Sequence, residues 1–224
     1  MWAVARSSGG LRPQKKPAGR YHHGELRRAL LDAALGIVEK DGTGAVSLSA
    51  AARRVGVSPQ ASYNHFRDKG ALLAAIAEEG LRALEQSLRE AGAADLGEGA
   101  RLEAIGVAYV AHASAYPARF RLLSAPELAD KTDHPQLLAA YEAAFGVLLA
   151  AIEACQATGV LRRADARKLA RAAWAMVHGV AWLLVDGQFE VAGADAAHVA
   201  RDSVRVLFKG LAARDQPESV TRSR

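Results

Sequence analysis

Cysteine occurs once in this chain of 224 residues, at Cys155. No intramolecular disulfide can form, which points to a reducing, cytosolic setting. In its helical stretch Cys155 reads as a small buried or half-buried thiol rather than a redox sensor. Aromatic residues make up only 6% of the chain, so Ala and Leu must build most of the interior, and both favour helix. No run approaches the roughly 18 apolar residues of a membrane span. The first residues carry no apolar segment behind their basic positions, so they do not read as a secretory leader. There is no Gly-rich phosphate loop and no metal-type spacing of His, Cys and carboxylates. His22 and His23 are adjacent and cannot share a helix face. His112 and His178, the candidate bases, have no visible nucleophile beside them. A helical enzyme therefore finds little support, and no metal or cofactor is expected.

What is present is apolar bulk and an uneven charge. Half of the residues are hydrophobic, enough to bury a core, and the net charge is +5. Residues 1–70 hold 12 Lys and Arg against 5 Asp and Glu, a balance of +7, whereas the rest holds 17 against 19, or −2. A basic excess confined to one segment is the footprint of a polyanion binder, although a solvated basic tail produces the same imbalance.

That segment contains Ser47–Lys69, SLSAAARRVGVSPQASYNHFRDK. Ser47 is a good N-cap, and Leu48, Ala51, Ala52 and Val55 form one apolar helical face. Gly56 ends the helix, because it tolerates the left-handed backbone of a tight turn. Val57 can plug the gap between two helices. Ser58 caps the second helix, with Pro59 at its first position. The spacing predicts that helix over 59–66, with Phe66 anchored in the core and Gln60, Ala61, Tyr63, Asn64 and His65 facing outward. This is a helix-turn-helix pattern, whose second helix enters the DNA major groove. Gln60 and Asn64 can pair with adenine and Ala61 can touch a thymine methyl. Tyr63, His65 and Lys69 suit phosphate oxygens. Ser47, Leu48, Ser49 and Pro59, at the two helix starts, complete the candidate DNA contacts. An ordinary helical hairpin with a polar face fits the same pattern.

The segment VGVSPQASYNHFRDKGALLAAI resembles the DNA-binding region of the TetR/AcrR family of bacterial transcriptional regulators. The matching residues are Gly56-Val57-Ser58, Tyr63, His65-Phe66, Lys69 and Leu72-Leu73. Two positions depart from the pattern. Ser62 stands where Leu or Ile is usual, which is expected to loosen packing, and Gly70 stands where Glu or Asp is usual. Farther on, YHHGELRRALLDAA, Tyr116-Pro117, Phe120-Arg121-Leu122, Trp174 and His178-Gly179 resemble the subgroup with a WHG-type C-terminal domain. Together the resemblance covers about residues 21–210. It implies an all-α fold of about nine helices. A three-helix helix-turn-helix DNA-binding domain comes first, followed by a helical ligand-binding and dimerisation domain.

The helical periodicity agrees. Residues 1–20 read as a disordered basic arm in which Arg12, Lys15, Lys16 and Arg20 can approach phosphates or a minor groove. Residues 21–68 form the DNA-binding domain, opening on a helix over 21–40. A helix from Asp68 to about Ala91 links this head to the body, 69–212. Gly92–Gly99 is a loop. Helices follow from Arg101, over 118–124, 137–158 and 165–186, and from Asp195 to about Ala212; 213–224 is a polar tail. Tyr109, His112, Phe120, Tyr141, Phe145, Trp174, His178 and Trp182 supply apolar walls and a few polar groups for a ligand cavity. Trp174, His178 and Trp182 share a helix face. Taken singly, each reads first as a core residue; as a set, some of them line a cavity. The resemblance implies a homodimer through the last two helices, a double-stranded inverted-repeat operator and a small-molecule effector. The sequence thus reads as a cytoplasmic, ligand-responsive repressor with no membrane partner. An activator of the same fold and a protein-interaction scaffold with a non-functional head remain as alternatives.

Overall fold

The computed structural model describes residues 23–188 and 196–211. Nine α-helices lie among the described residues, and no β-strand: α1 (His23–Asp41), α2 (Leu48–Val55), α3 (Pro59–Tyr63), α4 (Lys69–Gly92), α5 (Glu98–Ala115), α6 (Pro117–Leu122), α7 (Pro135–Ala157), α8 (Ala166–Val185) and α9 (Ala196–Leu211). Short 3-10 turns lie at Thr43–Ala45, Pro126–Leu128 and Lys131–Asp133. The basic arm, the expected first-helix start at Tyr21 and His22, the expected last-helix start at Asp195 and the polar tail fall outside the described residues.

The helix ends follow from local chemistry. The Ser47 hydroxyl accepts the Ala50 N–H at 3.0 Å, and the Ser58 hydroxyl accepts the Ala61 N–H at 3.3 Å. Gly56 takes φ 82°, closed to most side chains, and its N–H reaches the Ala52 and Arg53 carbonyls. The Asp68 carboxylate accepts the Ala71 N–H at 2.8 Å, and Asp165 caps α8 through Lys168 N–H at 3.0 Å.

Several boundaries differ from the sequence reading. The second helix of the motif spans only Pro59–Tyr63, because the Ser62 carbonyl accepts both the His65 and Phe66 N–H groups and the chain turns to bury Phe66. Asn64 and His65 therefore stand just beyond the helix. Helix α5 begins at Glu98, so the loop before it is shorter than expected. The region between Pro126 and Pro135 holds two 3-10 turns. The view that no segment approaches a membrane span also needs amending. Helix α7 is long and apolar enough to cross one by length and composition. It lies within the bundle, with Leu137, Ala140, Ala144, Leu148, Ile152 and Cys155 buried.

Helices α1 to α3 pack as a head, and α5 to α9 form the body. Helix α4 belongs to both, packing on α1 at one end and on α5, α6 and α7 along its length. Its buried stripe is Leu72, Leu73, Ile76, Ala77, Leu81, Leu84 and Leu88. Each large side chain there contributes about 1.5–3 kcal/mol of burial. Arg28 bonds Glu79 at 3.1 Å, bracing α1 against α4, and the Arg27 guanidinium lies 5.2 Å from the centre of the Phe66 ring. In the body, a Cβ at Gly106 would stand 3.0 Å from both Val204 methyls, so this glycine lets α5 and α9 approach.

The cap on α4 can be tested. The Asp68 carboxyl is held below its ordinary range by the Ala71 N–H first and the Arg67 guanidinium second. Its contribution is complete above about pH 3.9 and is lost as pH falls through the lower native value. Asp68→Ala is expected to cost about 0.5–2 kcal/mol in urea unfolding, while Asp68→Asn stays close to the parent at neutral pH.

Candidate functional site

The outer face of the helix-turn-helix carries Pro59, Gln60 and Asn64 exposed, Tyr63 at 52% exposure, and Ala61 and His65 half-buried. Ser62 is fully buried, and its hydroxyl donates to the Pro59 carbonyl at 2.6 Å. The smaller side chain therefore satisfies its polar atom inside its own helix. Leu48 is a correction: its side chain is in the core at 4% exposure, so only its main chain can meet DNA. Ser47 is exposed, but its hydroxyl is engaged in the cap; Ser49 is half-buried.

Lys69 is placed unexpectedly. Its ammonium lies 2.7 Å from Glu127, in the 3-10 turn Pro126–Leu128 of the body, with about 29% and 31% of the two side chains exposed. The Lys69 hydrogen bond is the first cause holding the Glu127 carboxyl below its usual range. Gly70 lies beside this contact. A Cβ there would stand 3.2 Å from Asp68 Oδ1, 3.7 Å from His134 Nε2 and 3.8 Å from the Glu127 carbonyl. An acidic side chain at this position would meet Asp68 and Glu127 together.

In the body, seven of the eight proposed cavity residues form one connected cluster. Tyr109 packs edge-on against Trp174 at 5.0 Å between ring centres and against Phe120 at 6.4 Å. Tyr141 and Phe145 flank Trp174 at 5.5 and 5.8 Å. Phe120 lies 4.9 Å from His178 and 5.7 Å from Trp182. The Tyr109 hydroxyl and His178 Nδ1 are hydrogen-bonded at 2.8 Å. His112 stands apart from these rings, with Nδ1 3.1 Å from the Ser87 hydroxyl and its ring 4.8 Å from Tyr116. It shares a separate crevice with Tyr109, Phe120 and Arg119.

A cleft of about 240 Å³ opens beside the cluster, lined by Tyr109, Tyr141, Trp174, His178 and residues absent from the sequence reading, Leu123, Ser124 and Ala175. On the other side of the Tyr109–Trp174 pair lies a narrow apolar crevice of about 30 Å³ between α5, α8 and α9. Burial pushes the Tyr109 hydroxyl far up and the His178 imidazole down, so both are neutral near pH 7. Among the described residues, no group of three His, Cys, Asp or Glu is placed to hold a metal. Ser124 and Glu127 lie in irregular chain between helices, where periodicity carries no signal.

Two family models match the sequence. One, described as bacterial regulatory proteins of the tetR family, covers residues 30–76, and the other, a tetracyclin repressor-like C-terminal domain, covers 102–207. No curated protein matches the chain. Among solved structures, a protein of unknown function from Rhodococcus sp. RHA1 is 36% identical with a TM-score of 0.74, covering 87% of this chain and 99% of that one. The TetR family transcriptional regulator PfmR from Thermus thermophilus is 22% identical with a TM-score of 0.65, covering 82% and 99%. A bacterial regulatory protein in the tetR family from Rhodococcus RHA1 is 22% identical with a TM-score of 0.69, covering 85% and 99%. These last two likenesses are of fold.

The state of His178 gives a prediction. Its imidazole is expected to titrate below the ordinary histidine value of about 6.5, as read from ring proton shifts by NMR. Native stability should then fall as pH drops from about 6.5 through the native value, because the unfolded chain takes the proton first.

Proposed function

We propose, because this chain belongs to the TetR family of bacterial regulatory proteins, that it is a dimeric repressor which leaves its operator when its body binds a small molecule. The observation that carries this reading is the single helix α4, which starts beside the helix-turn-helix and runs along the aromatic cluster's bundle. A ligand that binds two body arrangements unequally biases the placement of that helix, and the coupling equals the difference in affinity. Gln60 and Asn64 are exposed for base edges, and Tyr63 for phosphate. Pairing through α8 and α9 agrees with their exposed apolar residues Leu183 and Val206. A two-fold dimer presents its recognition helices to half-sites about 34–36 Å apart or a multiple of that. The protein then works in the cytoplasm, on double-stranded DNA carrying an inverted repeat.

Lys69 has a specific place in this reading. Glu127 engages one of the three donors of the Lys69 ammonium and offsets its charge, so Glu127 and DNA compete for it. The test is fluorescence anisotropy on the DNA flanking the protein's own gene, titrated with salt. Lys69→Ala is expected to weaken binding to all sequences and to lower the salt slope by about one. Glu127→Gln is expected to tighten binding by up to about fivefold, the scale of an exposed ion pair. Weak binding, equal on operator and random DNA, would overturn the regulator reading. No gain in affinity for Glu127→Gln, with operator binding intact, would overturn only the competition.

A further inference from the structure

The cleft beside the aromatic cluster has a chemistry narrow enough to name a ligand class. Its volume of about 240 Å³ lies below the usual range of about 300–1,000 Å³ for ligand pockets, so it fits a small molecule. Its largest walls are aromatic. The Tyr141 and Trp174 rings meet edge to face at 60° with centres 5.5 Å apart. Such a corner offers an aromatic ring one face to stack on and one ring to meet edge-on.

No Asp, Glu, Lys or Arg lines the cleft. A charged ligand would give up water there with no opposite charge to meet it, a large cost. Arg119 lies in the neighbouring crevice, with His112 and Tyr116.

The polar group that selects the ligand is His178. Its Nδ1 is engaged with the Tyr109 hydroxyl, and among the described residues no hydrogen bond reaches Nε2. Among the described residues, no side-chain nitrogen or oxygen is buried without a partner, so Nε2 is accessible. When Tyr109 donates to Nδ1, the neutral ring carries its proton on Nε2 and offers a donor. When Nδ1–H donates to Tyr109, Nε2 is an acceptor. A hydroxyl group satisfies either tautomer, being donor and acceptor at once, whereas a carbonyl satisfies only the first.

We propose that this cleft takes a small, uncharged hydroxyaromatic compound, its ring against Tyr141 and Trp174 and its hydroxyl on Nε2 of His178. This rests on the reading of the body as a small-molecule sensor.

The experiment uses the full chain and four probes: 2-naphthol, naphthalene, 2-naphthoate and decanoate. Binding is measured by calorimetry, and release is measured separately on the complex with labelled operator DNA. The expected result is one 2-naphthol per chain, with naphthalene about five- to tenfold weaker for want of the hydrogen bond and the two carboxylates weaker still. Naphthalene removes the hydroxyl from the ligand side, so this comparison does not depend on a variant folding. His178→Phe is expected to abolish the preference for 2-naphthol over naphthalene. No binding of 2-naphthol, equal binding of naphthalene, or stronger binding of either carboxylate would overturn the ligand class. Release of DNA by a carboxylate but not by 2-naphthol would do the same while leaving the sensor reading in place. Saturable 2-naphthol binding that leaves operator affinity unchanged would uphold the class and overturn the sensor reading.

Discussion

The structure depends on one helix having to bury its apolar stripe in two places. Helix α4 spans 24 residues, about 36 Å at 1.5 Å per residue. Along that length it has no polar stretch on its inner face from Leu72 to Leu88. The head is small, and α4 packs on α1 to help close its core. The body uses the other part of the same stripe against α5, α6 and α7. The buried residues accordingly form one continuous hydrophobic cluster rather than two. Close-packed interiors respond to displacement by switching between arrangements rather than by stretching. A shift of α4 in the body is thus felt where Asp68 and Lys69 begin the helix.

The scarcity of aromatic residues makes their placement informative. The chain has 3 Trp, 5 Tyr and 5 Phe, or thirteen in all. Six of them, Tyr109, Phe120, Tyr141, Phe145, Trp174 and Trp182, join His178 in one connected cluster. Elsewhere Leu and Ala fill most of the interior, and the buried Ser62 hydroxyl is satisfied within its own helix. Within the cluster sit a neutral histidine and a neutral tyrosine hydroxyl, hydrogen-bonded to each other and next to open space. A core chosen for stability alone gains little from such a pair, since a buried hydrogen bond contributes only about 1 kcal/mol net. Its cost in polar burial is offset if the site discriminates among ligands.

Much of this organisation was legible in the sequence, because it is written in local chemistry. Ser47, Gly56, Ser58 and Pro59 each have a conformational role that holds in any context, and the turn they specify is present. The i, i+4 spacing of Trp174, His178 and Trp182 placed three rings on one face of α8, and they do line one cluster. What escaped was decided by tertiary contact. Phe66 is buried as its spacing implied, but helix α3 stops at Tyr63 and the chain turns to reach that burial, an early end that periodicity does not report. Leu48 was legible as part of the apolar face of α2 and is buried there, which leaves only its main chain for the DNA contact also assigned to it. His112 has the composition of a cavity residue, yet Ser87 on α4 holds it outside the ring cluster. Glu127 is distant in sequence from Lys69 and lies in irregular chain, so the ion pair between head and body had no sequence signature.

That ion pair completes a physical route between the two halves. Phe120, on α6, packs against His178 and Trp182, and the α6 side chain Arg121 reaches the Val185 carbonyl and Asp186 at the end of α8. Five residues after α6 comes Glu127, followed by the buried Leu128, which fixes that 3-10 turn against the core. A change at the ring cluster that moves α6 is therefore passed to Glu127, the partner of Lys69. On the proposed reading, two elements carry the coupling. Helix α4 sets where the head lies, and the Pro126–Leu128 turn sets whether Lys69 is available to a phosphate. Linkage makes such a coupling reciprocal: whatever factor the ligand puts on operator affinity, DNA puts on ligand affinity. The size of this coupling is bounded by one partly exposed ion pair, so it adjusts operator affinity by a few-fold. The larger part of any switch falls to α4, whose buried stripe packs on α1 in the head and on α5, α6 and α7 in the body.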